Sequence, residues 1–304
     1  MKVAALDLGT NSFLCLIAEV ENGEIRQIFS DEVQIVRLGQ EVALNKKFHP
    51  EALLRAKQCL QDFKRTIDLH QPEKILAMAT SAARDVANSE ELFEMGRSLK
   101  IPIEIIPGEL EAQITFQGSI SGFPKDQKRR AVIDIGGGST EIIAGTDLQI
   151  LGGASVDLGG VRLTEKFFQQ QPPTEEKLMR AQSFVGEKLQ SLLQTIRQFQ
   201  VEELVAVAGT PTELAAASLG GFDAQKIDGF QLTAADLAIW LEKFEKTSPQ
   251  ERVSKFGISK GRADIILAGT LILQEVIRSL QFQQLTVSTR GVRYGVALEL
   301  EKRK

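Results

Sequence analysis

Hydrophobic positions along the chain change period repeatedly, and the changes mark alternating strands and helices. Residues 2–6 and 13–20 are apolar runs of strand length, and the Asn22-Gly23 pair is a hairpin turn signal before a third strand over 25–30. Between 51 and 69, Leu53, Ala56, Leu60, Phe63 and Ile67 recur three or four apart, as one helix face requires, and Pro72 ends the pattern. A short buried strand at 74–79, a helix near 89–99 and a strand at 101–106 follow, and Pro107-Gly108 then breaks the chain. Residues 118–130 are turn-rich, basic at their end, and suit a junction between halves. Beyond it, 174–199 predicts a long amphipathic helix with Leu178, Ala181, Val185, Leu189, Leu192 and Ile196 on one face; Glu175 and Glu176 sit favourably near its start. Residues 204–208 form a strand, Gly209-Thr210 opens a helix, 261–280 is apolar and helical in pattern, and 285–288 is a strand before a last helix. Trp240, with Leu237 and Leu241, reads as core or domain interface.

The stretch that organises these elements is R-A-V-I-D-I-G-G-G-S-T-E-I-I-A-G, Arg130 to Gly145. An apolar strand delivers Asp134 into Gly136, Gly137 and Gly138, whose backbone N–H groups carry no covering side chain. A second apolar run follows at once, so this is a strand–turn–strand hairpin, unlike dinucleotide and Walker-type glycine loops, which open a helix. The N-terminus repeats it. A-A-L-D-L-G-T-N-S-F-L-C-L-I-A from Ala4 aligns without a gap at an offset of 127 residues, matching Asp7 to Asp134, Gly9 to Gly136 and Ser12 to Ser139. A duplicated α/β architecture follows: one domain over 1–122, on which a helix over about 291–304 packs back, and a second over 123–290.

Composition narrows the function. The 304 residues are 43% hydrophobic and 25% charged, a globular balance, and suffice for two domains with their own cores. A net charge of −4 gives no general attraction for nucleic acid or an anionic membrane, so a polyanionic ligand needs a local basic site. Nothing in the chain reaches about 18 uninterrupted apolar residues, and Asp7 arrives too early for a signal-peptide core. Cys15 and Cys59 lie in apolar patterns without metal or disulfide spacing, and His49 and His70 are isolated, so the expected setting is the reducing cytoplasm.

Two glycine turns, each behind an aspartate, suit a phosphoryl-transfer cleft between duplicated lobes. Their amides can hold phosphate oxygens, and the aspartates can hold Mg²⁺, or another divalent cation, directly or through water. The phosphate-binding candidates are Gly9, Thr10, Gly136, Gly137 and Gly138, with Asn11, Ser12, Ser139 and Thr140 offering short polar groups beside the amides and Gly209 and Thr210 a further turn; Asp7, Asp134 and Glu141 are the metal candidates. Arg84 can clamp two phosphate oxygens with its planar guanidinium, or pair with Asp85 at the surface. Arg162, Arg290 and Arg293 either add charge for a polyanion or form structural ion pairs.

The motif order resembles the exopolyphosphatase and guanosine pentaphosphate phosphohydrolase family, within the actin-like, sugar-kinase and heat-shock ATPase superfamily. The shared marks are D-L-G-T-N-S at Asp7, A-T-S-A-A-R ending at Arg84, I-P-G-E-L-E-A at Ile106, V-I-D-I-G-G-G-S-T-E at Val132, G-G-V-R-L-T-E at Gly159, A-G-T-P-T-E-L at Ala208 and S-T-R-G-V-R-Y-G at Ser288. They span nearly the whole chain. The resemblance implies two actin-like, ribonuclease H-like domains with the ligand cleft between them. It also implies release of terminal orthophosphate from inorganic polyphosphate, with guanosine pentaphosphate as the alternative substrate. In the family pattern the glutamate before the alanine activates water, and that position is Glu111. The bland reading of Glu111 is a solvated carboxylate at a helix start. Glu109 would point away from Glu111 on a helix and share its face on a strand.

Departures bear on the substrate. Gln113 stands where many members have a basic residue, and Thr289 and Tyr294 occupy variable or acidic positions. Long members carry a further C-terminal helical region, whereas this sequence stops at Lys304, which favours short polyphosphate or the nucleotide over a processive channel. A homodimer is compatible with the resemblance. From other classes, an actin-like ATPase or kinase would bind adenosine nucleotide, and a binding-only sensor would hold polyphosphate or guanosine alarmones without turnover.

Overall fold

The N-terminal apolar runs pair as the alternation predicts. β1 (Lys2–Leu8) and β2 (Ser12–Glu21) are antiparallel, from Lys2 opposite Glu19 to Leu8 opposite Phe13. Asn22 and Gly23 both take left-handed backbone (φ 54° and 72°), the geometry of a tight hairpin, and β3 (Glu24–Ile35) returns along β2. This computed structural model describes residues 1–84 and 86–303; Asp85, weighed above as a partner for Arg84, lies outside them. The chain divides into two units, Met1–Phe123 with Gly291–Lys304, and Pro124–Arg290.

After β3 the first unit continues with α1 (Val42–Asn45), α2 (Pro50–His70), β4 (Lys74–Ala79), α3 (Ser81–Arg84), α4 (Glu90–Leu99), β5 (Ile103–Ile105) and α5 (Gly108–Ile120). The sheet order is β3-β2-β1-β4-β5, with β4 parallel to β1 and β5 parallel to β4. β1 is buried on both faces: Ala4, Leu6 and Leu8 join the cluster containing Leu53, Leu60 and Phe63 of α2, and Val3 and Ala5 join the opposite one. The five helical positions read from the sequence of α2 are all buried, together with Ala52 and Cys59, and Pro50 opens the helix where a missing N–H costs nothing. His49 caps it, its Nδ1 accepting the Glu51 N–H at 3.3 Å.

The second unit runs β6 (Arg130–Ile135), β7 (Thr140–Gly145), β8 (Ile150–Val156), α6 (Gly160–Phe167), α7 (Glu175–Gln198), β9 (Glu203–Val207), α8 (Gly209–Leu219), α9 (Ala224–Ile227), β10 (Gln231–Thr233), α10 (Ala234–Glu245), α11 (Pro249–Phe256), α12 (Ile266–Ser279) and β11 (Gln284–Val287). Its sheet order, β10-β11-β9-β6-β7-β8, repeats the first with one more edge strand, and β6, β9 and β11 are parallel. Trp240 belongs to this unit's core beside Phe244 and Phe256, its indole N–H donating to Ser218 Oγ at 3.1 Å. α13 (Val292–Lys302) then packs in the first unit against α5, β1 and β2.

Three boundaries differ from the sequence reading. The turn-rich segment expected from 118 begins later, because α5 continues through Ile120. The strand expected over 101–106 is confined to Ile103–Ile105, since Pro102 has no N–H to donate and offers only its carbonyl, to Ala77 N. Residues 261–265 are turn, and the helix starts at Ile266.

α5 and α13 meet backbone to backbone. A Cβ on Gly118 would stand 2.3 Å from Gly291 O, and one on Gly295 would stand 2.0 Å from Ile114 O. Neither carbonyl can swing aside without disturbing its helix. Gly118→Ala is therefore expected to destabilise the fold by about 1–3 kcal/mol, the usual cost of overpacking, read as a lower unfolding midpoint.

Candidate active site

In the first unit the parallel strands gather the chemistry at one end of the sheet. β1, β4 and β5 run the same way, so the segments leaving their C-terminal ends start side by side. They carry the Gly9–Ser12 turn, Arg84 at the end of α3, and Glu111 in the first turn of α5. Gly9 N–H closes the turn on Ser12 O at 3.1 Å. Asn11 is 4% exposed, and its Nδ2 has no hydrogen-bond partner among the described residues.

Arg84 and Glu111 form an ion pair. Arg84 Nη1 donates to Glu111 Oε2 at 2.7 Å and to Ile106 O at 2.8 Å. The solvated-carboxylate reading of Glu111 fails: its residue is only 6% exposed, whereas Glu109, which a helix turns the other way, is exposed. Burial pushes the Glu111 carboxyl up from its ordinary range, and the charge and hydrogen bond of Arg84 pull against that rise.

Asp7 lies on β1 opposite Leu14. Arg293 of α13 does not face outward for a polyanion; its Nε and Nη2 grip the two Asp31 oxygens at 2.6 and 2.9 Å, and Tyr294 Oη donates to the same carboxylate at 2.9 Å. The thiols are inert by burial, which pushes Cys15 up to about 12 and Cys59 higher still.

In the second unit Asp134 and Glu141 are opposite each other on β6 and β7, so their side chains share one face of the sheet. Both are buried, and Ser155 Oγ donates to Glu141 Oε1 at 2.5 Å. The Gly136–Gly138 turn mirrors its counterpart, Gly136 N–H donating to Ser139 O at 3.0 Å. The Thr140 hydroxyl donates to Leu158 O inside the fold. Arg162 Nε donates to Gly138 O at 2.9 Å, which commits it to the turn's backbone. Arg290 donates its backbone N–H to Ser288 Oγ at 3.2 Å.

Gly209 and Thr210 are also more enclosed than expected. A Cβ on Gly209 would fall 1.6 Å from Arg262 Nη1, so a guanidinium lies over the bare glycine, and Thr210 packs against Gly269 of α12. Ala208 before them holds φ 69° and ψ −163°, a region costly for any residue but glycine, where strain clusters at working sites. Arg262 carried no local signal in the sequence, since only the fold brings it to the start of α8. Among the described residues, no three His, Cys, Asp or Glu side chains are grouped closely enough to cage a metal.

Two sheets of one strand order, each with a glycine turn after its first strand and an acid before that turn, define a duplicated actin-like α/β protein of the phosphoryl-transfer type. The chain belongs to the Ppx/GppA phosphatase family, whose model matches residues 16–304. It is 35% identical over 314 residues to Exopolyphosphatase 2 of Mycobacterium tuberculosis, covering 98% of each chain. The crystal structure of the Aquifex aeolicus Ppx/GppA family member is similar at 30% identity and a TM-score of 0.82, covering 100% of this chain and 99% of that one. An exopolyphosphatase structure from Cytophaga hutchinsonii reaches a TM-score of 0.92 at 26% identity, covering 100% and 99%. The protein is thus a hydrolase acting on phosphoanhydride bonds. No described helix is long and apolar enough to cross a membrane.

Proposed function

We propose that the protein releases orthophosphate from the end of inorganic polyphosphate, in the cytoplasm, with Glu111 as the base that takes the proton of the attacking water. The observation that carries this reading is the buried Glu111 carboxylate held 2.7 Å from Arg84. Water attacks the terminal phosphorus, its proton passes to Glu111, and the shortened chain leaves. An elevated carboxyl pKa suits that step, because a base is most effective when its pKa approaches the working pH. Among the described residues Arg84 spends only Nη1, on Glu111 and Ile106, and a guanidinium has further donors for the oxygens of the reacting phosphate.

Magnesium fits the second unit's acids. Mg²⁺ keeps several waters and usually takes one or two carboxylates plus substrate phosphates, so the cross-strand pair Asp134 and Glu141 is a sufficient protein contribution. When bound, the ion neutralises charge on the phosphate oxygens; Asp7 is the corresponding acid of the first unit.

The test is orthophosphate release by purified protein from tripolyphosphate, long polyphosphate, guanosine pentaphosphate and ATP, without acceptor, with Mg²⁺ or with chelator. Release from polyphosphate that stops with chelator is expected. Release from guanosine pentaphosphate alone would move the reading to the nucleotide, and turnover of ATP alone would move it to an actin-like ATPase.

A further inference from the structure

The carbonyl side of each glycine turn is held by a second stretch of chain, and in the first unit that stretch is fastened to α2. Val36 and Arg37 both donate their N–H groups to Asn11 O, at 3.0 and 2.8 Å, and Gly39 N–H donates to Thr10 O at 2.8 Å. Gly39 presses so closely that a Cβ there would stand 2.2 Å from Thr10 Cγ2. Arg37 takes left-handed backbone (φ 53°), which a residue with a side chain keeps only where its surroundings enforce it. Arg55 fastens this segment to α2. Its Nε donates to Val36 O at 2.7 Å, and its Nη2 donates to Gln40 Oε1 at 2.8 Å and Arg37 O at 3.4 Å.

The second unit has the same device with different residues. Gly160 N–H donates to Gly136 O at 2.9 Å, Val161 and Arg162 N–H donate to Gly137 O at 2.9 and 3.1 Å, and Arg162 Nε reaches Gly138 O. A brace on the carbonyls, stiffened by an arginine, thus accompanies both copies of the turn although the bracing sequences are unrelated.

We infer that Arg55 is a positioning residue for phosphate binding, acting through the 36–40 segment on the Gly9–Ser12 turn. The peptide unit is planar and trans, so a carbonyl and the next N–H point in opposite directions. Holding Thr10 O and Asn11 O therefore sets the direction of the amides that follow them. Asn11 Nδ2, buried and without a partner among the described residues, adds a donor in need of an acceptor. The inference rests on the reading that this turn takes a substrate phosphate. Arg55 itself lies on α2, outside the turn.

The experiment compares wild type with Arg55→Met, Arg55→Lys and Gly39→Ala. It measures Kd for tripolyphosphate by calorimetry, kcat and KM for orthophosphate release, and circular dichroism with the unfolding midpoint on each preparation. A grip present in both the bound and the transition state affects KM more than kcat. Arg55→Met is expected to raise Kd and KM about tenfold, with kcat within about twofold; Arg55→Lys raises them less, and Gly39→Ala reproduces the effect from the other side of the contact. Wild-type Kd and KM in a folded Arg55→Met protein would overturn the inference. So would a fall in kcat alone, or a loss of folded protein in all three variants that accounts for the lost binding. Wild type that binds tripolyphosphate without hydrolysing it refutes the proposed hydrolysis, while the Kd values still decide the role of Arg55. Wild type that binds none refutes both.

Discussion

Glu111→Gln is expected to lower kcat for orthophosphate release by about 10²–10⁴-fold, the usual contribution of a general base, while the Kd for polyphosphate stays near wild type. Glutamine keeps the shape and one oxygen able to accept from Arg84 Nη1, so the α3–α5 contact survives, but it cannot take a proton. The same substitution removes a titration. Burial raises the Glu111 pKa in the folded protein, so the folded state favours the protonated acid relative to the unfolded chain. Its contribution to stability is then complete below the unfolded value of about 4.3 and is lost as pH rises through the folded value. Activity has the opposite sense, since only the ionised carboxylate can accept the proton of water. The protein therefore works in the range where Glu111 no longer helps the fold, and Glu111→Gln should lack that part of the pH dependence of its unfolding midpoint.

Arg84→Met is expected to reduce kcat/KM at neutral pH by at least about 10²-fold and to move the acid limb of the pH–rate profile to higher pH. The guanidinium opposes the rise in the Glu111 pKa; without it desolvation acts alone, and the acid holds its proton further into the working range. Removing one partner of a buried pair costs about 3–5 kcal/mol if the other stays charged, and proton uptake by Glu111 relieves part of that. Arg84→Lys restores charge without the planar fork, so it should recover part of the pH limb and little of the phosphate affinity. A limb that stays in place in both variants would separate Arg84 from Glu111.

The hairpins and the long helices were legible because their signals are local. Asp134 and Glu141 stand in the sequence as acids flanking the glycines, and their pairing follows from the register of a tight hairpin, Ile135 opposite Thr140. The Arg84–Glu111 contact was not readable as a contact, although both residues were singled out. It arises because β4 and β5 are parallel neighbours, and parallel order is a property of the sheet. The burial of Glu111 was hidden for another reason: α5 buries Ala112, Ile114, Thr115, Phe116, Gly118 and Ser119 together, which leaves no clean apolar stripe in the sequence. Strands β8 and β10 were not legible, since β8 contains Gly152 and Gly153 and β10 has only three residues, too short for alternation to register. Arg55 bonds the backbone of 36–40 and Arg262 covers Gly209, partners remote enough in sequence that charge patterning gives no warning.

The most direct measurement is the pH dependence of kcat/KM for orthophosphate release from tripolyphosphate by wild type and Glu111→Gln. The prediction is an acid limb in wild type above the ordinary carboxylate range, and a low rate without that limb in the variant. A variant that keeps both the wild-type rate and the wild-type limb would contradict the assignment of Glu111 as the base.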